Sequence, residues 1–383
     1  MRIITKKKLH TICQSMTDRG VDVAFITDTE RTRNASLRYL SGHPTDAELL
    51  LFADGYTTLI PWDLELAGSL AEVDEILNPL DFERSYRKAR AYALSSRLGQ
   101  KFSLEVLPSE SYFEVTKFQE LFPKINIICD PKGVGYAISK ARRVKEPHEI
   151  DLLREGCQKT NVLIEMIQPY IEAHPNCREV DFALFLETEM RKLGAEKPAF
   201  ETLVANATRS AQIHNYPTAS TEPLVKPGLA LVDFGLVWKG YHTDVTVPLL
   251  FGKLNSAQQK MIDNVQRVHD LAISRIKPGA LVHEVAQEVI NILTLQGLTM
   301  PYSLGHGIGL EIHEGPGLGL KPTDASVLKD WVETPLEAGM VFTIEPGVVD
   351  SEHGGTRLEN DVLVSAQGLE VLTSSRVLSF PLK

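Results

Sequence analysis

Residues 178–198 (REVDFALFLETEMRKLGAEKP) and 282–301 (VHEVAQEVINILTLQGLTMP) carry one pattern twice: a helical segment led by Glu-Val and closed by Gly and then Pro. Each copy follows a longer amphipathic stretch, about 148–171 and 256–276, and precedes strand-like segments. The Glu-Val pairs, Glu179-Val180 and Glu284-Val285, lie 105 residues apart. One helix–helix–sheet unit cannot bury its apolar faces alone. Two copies therefore predict pseudo-symmetric halves around a central cleft.

The region before the repeat reads differently. Leu9–Arg19 has the spacing of an amphipathic helix, and 21–27 (VDVAFIT) that of a strand. Segments 47–53 (AELLLFA) and 56–61 (YTTLIP), with Gly55 between them, predict a hairpin. FSLEV at 102–106 and INIICD at 125–130 add strands to an α/β domain built on a small sheet. At 383 residues the chain is long for one domain. The break is expected within 138–156, where Arg142, Arg143 and Lys145 precede Glu146-Pro147, a helix start signal. The expected domains are 1–137 and 138–383.

Bulk properties exclude several classes. A net charge of −10 argues against nucleic-acid partners. Lys6-Lys7-Lys8 has no apolar run behind it and reads as a solvated helix start rather than a targeting signal. The longest stretch without Asp, Glu, Lys or Arg, Val289–Leu310, contains Asn291, Gln296, Pro301 and His306, so no membrane span is expected. Cys13, Cys129, Cys157 and Cys177 are scattered without a CxxC, which favours buried thiols and a cytoplasmic location.

Chemistry concentrates in three blocks after the first repeat copy. In VDFGLVWKGYHTDVTVP, Asp233 ends an apolar strand, Gly240 marks a turn, and Asp244 lies on the returning strand. Hairpin pairing puts both carboxylates on one face. In SLGHGIGLEIHEGP, glycines flanking His306 allow close backbone approach, and His313 follows seven residues later. In TIEPGVVDSEHGGTRLENDVLV, Glu345 ends an apolar strand, where a carboxylate is costly unless paired or ligating. Arg357 and Glu359, two residues apart, are expected on one strand face. Each residue alone has an ordinary explanation as a turn former or surface pair. Jointly, Asp233, Asp244, His306, Glu345 and Glu359 form a hard, oxygen-rich set suited to two divalent ions, Mn, Co, Fe or Zn.

These blocks resemble the creatinase/aminopeptidase superfamily, the Xaa-Pro aminopeptidases, Xaa-Pro dipeptidases and methionine aminopeptidases, over about residues 140–375. The LRYLSGH stretch at 37–43 resembles the creatinase-type N-terminal domain and favours the proline-peptidase branch. The resemblance implies an α+β pita-bread catalytic domain behind an α/β N-terminal domain. It implies a hydrolase releasing the first residue of short peptides with proline second, and a homodimer. It implies that Asp233 chelates one metal, Asp244 and Glu359 bridge two (manganese above all), and His306 and Glu345 hold the second. A bridging hydroxide would attack the scissile carbonyl, with Glu345 as proton shuttle. His214, His313 and Arg357 would contact substrate and serve catalysis. Where relatives often have a histidine, Tyr302 stands at the substrate site; where they often have arginine, Val247 stands. The His214–Asp233 interval is 19 residues and the His313–Glu345 interval 32, the latter with added sequence at 315–338 expected at the cleft rim. Two alternatives stay open: the same metal site acting on a non-proline or non-peptide amide, and a non-catalytic peptide-binding protein.

Overall fold

The computed structural model describes residues 3–329 and 331–382 and divides the chain into two compact units, Met1–Arg142 and Arg143–Lys383. The division falls five residues beyond the expected 137/138 break, because the helix Val134–Arg143 runs across that position.

The first unit is built on a six-stranded mixed sheet. At its centre Val23–Asp28 pairs antiparallel with Ala47–Phe52, from Val23 opposite Phe52 to Asp28 opposite Ala47, and parallel with Ser103–Val106. The expected hairpin forms between Ala47–Phe52 and Thr57–Pro61, with Gly55 at φ 89°. Val23, Phe25, Leu50, Phe52, Leu104 and Phe118 fill the core beneath. The lysine run opens the helix Lys6–Asp18, whose first turn is capped by the Thr5 hydroxyl.

In the second unit, two helix pairs cover two sheets. Pro147–Ala173 and Glu179–Lys192 pack on a sheet ordered Leu378–Phe380, Val245–Phe251, Gly228–Phe234, Leu203–Ala205. Ser256–Arg275 and Val282–Leu295 pack on a sheet ordered Glu314–Gly317, His306–Gly307, Val341–Ile344, Asn360–Ser365, Gly368–Val371. The first helix starts as expected: Pro147 holds its first position, and the Glu149 side chain returns to the Glu146 N–H at 2.9 Å.

The duplication is present, but the Glu-Val pairs are not its equivalent points. Glu179 is the first residue of its helix and fully buried, whereas Glu284 is the third of its helix and exposed. The buried faces correspond instead: Phe182, Ala183, Leu186 and Met190 match Val285, Ala286, Val289 and Leu293, and Gly194 matches Gly297, all 103 residues apart. Buried positions, rather than shared polar letters, carry the register.

No helix among the described residues is long and apolar enough to cross a membrane. Cys13, Cys157 and Cys177 are buried as expected, but Cys129 is exposed.

Candidate metal centre and active site

The two sheets bring every candidate residue to one cleft of about 610 Å³. Asp233, Asp244, His306, Glu345, Glu359, Arg357, Tyr302, His214 and His313 all line it. Asp233 lies opposite Thr246 in the antiparallel pair Gly228–Phe234 and Val245–Phe251. Asp244 is two residues before Thr246, so both carboxylates share a face, as the hairpin reading expected. The hairpin is not continuous, however. Leu236–Trp238 and Tyr241–His242 peel away into a separate small sheet. Gly235 makes the break possible, since a Cβ there would stand 1.8 Å from the Thr243 carbonyl oxygen.

His306 is held between two strands. A Cβ on Gly305 would meet the Thr343 carbonyl oxygen at 2.0 Å, so only glycine lets the histidine strand approach this closely. The His306 N–H donates to the Thr343 hydroxyl at 3.2 Å. Its Nε2 lies 3.4 Å from Asp244 Oδ2 and 3.7 Å from Glu345 Oε1. Asp244, His306 and Glu359 present ligand atoms all within 4.8 Å of one another.

Arg357 and Glu359 do not share a strand as expected. Gly354–Arg357 belongs to a two-stranded sheet and the next strand starts at Asn360, with Leu358 and Glu359 outside both. Arg357 reaches Asp233 instead, donating from Nη2, and its Nε donates to the Thr246 hydroxyl at 2.8 Å. That hydroxyl in turn donates to Glu359 Oε2 at 2.7 Å. Thr246, which the sequence reading missed, is thus a direct link between two candidate residues, Arg357 and Glu359. Its position two residues after Asp244, on the same strand face, was the available signal.

Asp361 was also missed. Fully buried, it accepts the Asp244 backbone N–H at 3.1 Å and the Cys157 thiol at 3.5 Å. Burial raises its carboxyl to about 7. Val247, where relatives often place arginine, is fully buried in the first half's apolar core, so a valine suits its surroundings.

The electrostatics fit divalent metal. Burial, and then mutual repulsion, push Asp244 and Glu359 well above the carboxylate range. Asp233 and Glu345 are raised by burial too, although Arg357 opposes the shift. Burial works against the charge of Arg357, but Asp233 and its neighbours outweigh it and hold the guanidinium cationic. Four carboxylates face one arginine, and Asp233 Oδ1 is buried without a hydrogen-bond partner. Two dications would supply the missing charge and partners.

Around this cluster the second set of candidates lies closer to solvent. The His313 ring is 4.0 Å from the His306 ring. Burial, and then His306 and His214, lower its pKa and keep it neutral. Burial raises the Tyr302 phenol, which therefore stays protonated, and the centre of its ring lies 5.7 Å from the Arg357 guanidinium carbon. The added 315–338 segment leaves the cleft wall at Gly317 and carries the short helix Ala325–Leu328. Its Trp331 packs edge-on against His283 at 5.2 Å.

Two paired helix–sheet halves with acidic strand ends converging on one cleft define a pita-bread metallohydrolase. Residues 151–366 match the model of metallopeptidase family M24, and the chain belongs to that family. It is 28% identical over 376 residues to the Xaa-Pro dipeptidase of Pyrococcus furiosus, covering 97% of this chain and 98% of that one. The prolidase structure from Pyrococcus horikoshii OT3 superposes with a TM-score of 0.80 at 25% identity, over 97% of this chain and 99% of that one. The Xaa-Pro dipeptidase structure from Bacillus anthracis gives 0.82 at 26% identity, over 98% and 99%. The protein is accordingly a metal-dependent peptidase of the creatinase/aminopeptidase superfamily, as the resemblance implied.

Proposed function

We propose that the protein removes the N-terminal residue from short peptides with proline in the second position, using two divalent metal ions. The observation that carries this is the convergence of Asp233, Asp244, His306, Glu345 and Glu359 on one cleft, within a chain similar along nearly its whole length to Xaa-Pro dipeptidases. In this reading all five would be ligands, with Asp244, His306 and Glu359 presenting the tightest group of ligand atoms. The ions, manganese by preference, would supply Lewis-acid chemistry, activating water and polarising the scissile carbonyl. Glu345 would move the proton from nucleophile to leaving amine. His313, held neutral, and His214 would bind and orient the peptide, and the protonated Tyr302 would donate a hydrogen bond to it. Arg357 would fix Asp233 through its hydrogen bond and steady Glu359 through Thr246. The homodimer, the cytoplasmic location and a rim function for 315–338 belong to this proposal as well.

Charge bears on peptide length. Among the described residues lining the cleft, the one permanent cation is Arg357, whose Nη2 and Nε are engaged with Asp233 and Thr246. With the four ligand carboxylates balanced by metal, the terminal carboxylate of a free dipeptide would still find no uncommitted side-chain cation among the described lining residues. We therefore favour a C-terminally extended peptide. With Mn²⁺-loaded enzyme, kcat/KM for a Xaa-Pro-Yaa tripeptide should exceed that for the Xaa-Pro dipeptide by about tenfold or more, one misplaced charge contact being worth about 1–2 kcal/mol. Faster dipeptide turnover would reverse this preference, and no turnover of either would end the proline-peptidase reading.

Metal loading should release protons. The raised Asp244 and Glu359 carboxyls hold protons at pH values where free carboxyls have lost them, and a metal ion must displace them. Affinity for Mn²⁺ should fall as pH is lowered. Calorimetry in two buffers of different ionisation enthalpy should show proton release at pH 6; buffer-independent heats would contradict the coupling.

A further inference from the structure

One buried carboxylate outside the cleft governs a segment that lines it. Glu179 opens the helix Glu179–Lys192 and is fully buried, yet it is not among the cleft-lining residues. Its Oε1 accepts the backbone N–H of Asn206 at 2.8 Å. Its Oε2 accepts the backbone N–H of Ser220 at 2.8 Å and the Ser220 hydroxyl at 2.6 Å. Arg209 Nη1 donates to the same oxygen, while its Nη2 donates to the Pro217 carbonyl. Asn206 and Ser220 are the two ends of a segment, and Arg209 lies inside it. Glu179 therefore closes the segment at both ends and neutralises its internal cation.

That segment carries Ile213, His214 and Thr218, all of which line the cleft. Further bonds transmit the clamp to them. Asn215, next to His214, is buried and donates from Nδ2 to the Arg209 carbonyl at 2.9 Å. The Ser210 hydroxyl accepts the Gly355 N–H at 3.0 Å, on the strand Gly354–Arg357 that ends at the cleft arginine. His214 itself is exposed and, among the described residues, no side-chain hydrogen bond anchors it, so its position is inherited from the backbone on either side.

We propose that Glu179 is a positioning residue for His214, acting through Arg209 and Ser220 to hold the 206–220 segment against the cleft. The inference rests on reading the cleft as a peptidase site in which His214 contacts substrate. Glu179→Gln keeps the shape of the side chain but removes its charge. It also turns an NH₂ toward groups that themselves donate, and it leaves Arg209 without its counter-ion. The segment then regains conformational freedom, and His214 is spread over many positions. Misplacement of a binding group by about 1 Å costs on the order of 10²-fold in rate.

The test uses the full chain, metal-loaded, with Glu179→Gln, Arg209→Met, His214→Ala and the double variant Glu179→Gln/His214→Ala. On a Xaa-Pro-Yaa tripeptide, Glu179→Gln should lower kcat/KM by about 10- to 100-fold with metal content unchanged. In the His214→Ala background the same substitution should add less than about a twofold loss, because the group it positions is gone. An equal loss in both backgrounds, or none in the first, would overturn the proposal. Arg209→Met, which leaves Glu179 in place, carries the same comparison should the glutamine variant fail to fold. Hydrogen exchange supplies an arm independent of turnover. Amides of 206–220 should exchange at least about tenfold faster in Glu179→Gln, with Gly228–Phe234 and Val245–Phe251 unchanged. Unchanged exchange in the segment defeats the clamp even if the enzyme is active. An inactive wild type with a loosened segment would instead fault the peptidase reading alone.

Discussion

Asp244→Ala is expected to empty the centre of bound metal and to lower kcat/KM on a Xaa-Pro peptide by about 10³-fold or more, the loss of several kcal/mol of charge stabilisation. Asp244 is the carboxylate that joins the cluster together. Its Oδ2 is 3.4 Å from His306, it shares the tight ligand group with Glu359, and Asp361 fixes its backbone from behind. Asp233 is tied to Arg357 and Glu359 to Thr246, so neither can swing in to replace it. Metal analysis of the purified variant beside steady-state kinetics gives the answer. A variant that retains both metal and activity would mean the ions, if bound, lie elsewhere.

The largest stability effect is expected in the first unit, from Arg90→Met. Arg90 is 3% exposed, and it donates to both oxygens of Glu48 at 2.7 and 2.9 Å and to Glu114 at 3.2 Å. Its guanidinium lies over the rings of Phe25 and Phe118, 4.7 and 4.6 Å from their centroids. One side chain therefore joins a helix to a strand and to a second helix. Methionine would fill much of the space, but it would leave the Glu48 carboxyl, already raised to about 7 by burial, without its counter-ion. Breaking a buried pair from one side costs about 3 kcal/mol or more. Amides of Val23–Asp28 and Ala47–Phe52 should then exchange about 10²-fold faster. Unchanged protection would show that neither the ion pairs nor the ring contacts of Arg90 contribute measurably to holding this region.

The candidate cluster was readable because its residues break local rules. A carboxylate ending an apolar strand, as at Glu345, and a histidine between glycines, as at His306, are costly or unusual unless something compensates them. The first unit's strands were readable for a simpler reason, since apolar alternation and the Gly55 turn are local signals. What escaped was non-local. Asp361 follows Glu359 by two residues in an ordinary-looking strand, and its value lies in a contact 117 residues away along the chain, to the Asp244 backbone. Thr246 resembles any β-branched strand residue until the third block folds over it. Glu179 was noticed only as half of a repeated Glu-Val pair, and that pairing obscured it. Its counterpart by letter, Glu284, is exposed, so the feature that seemed shared is the point at which the two halves differ. The partnership of Arg357 with Asp233 rather than with a neighbour in sequence is likewise a contact 124 residues away along the chain, which alternation alone does not announce.

The sheet of the first half has a consequence for synthesis. Val245–Phe251 pairs on one side with its own hairpin neighbour, and on the other, in parallel, with Leu378–Phe380, where Leu249 stands opposite Leu378. The second half of the unit is made between these two strands. At a translation rate of about 5–20 residues per second, the VTVPLLF edge waits roughly 6–25 s for its partner. During that interval the nascent chain presents an apolar strand with unpaired backbone groups, the kind of surface that recruits other chains. The ribosome-bound intermediate, rather than the finished enzyme, is therefore the stage most exposed to aggregation and most dependent on chaperones.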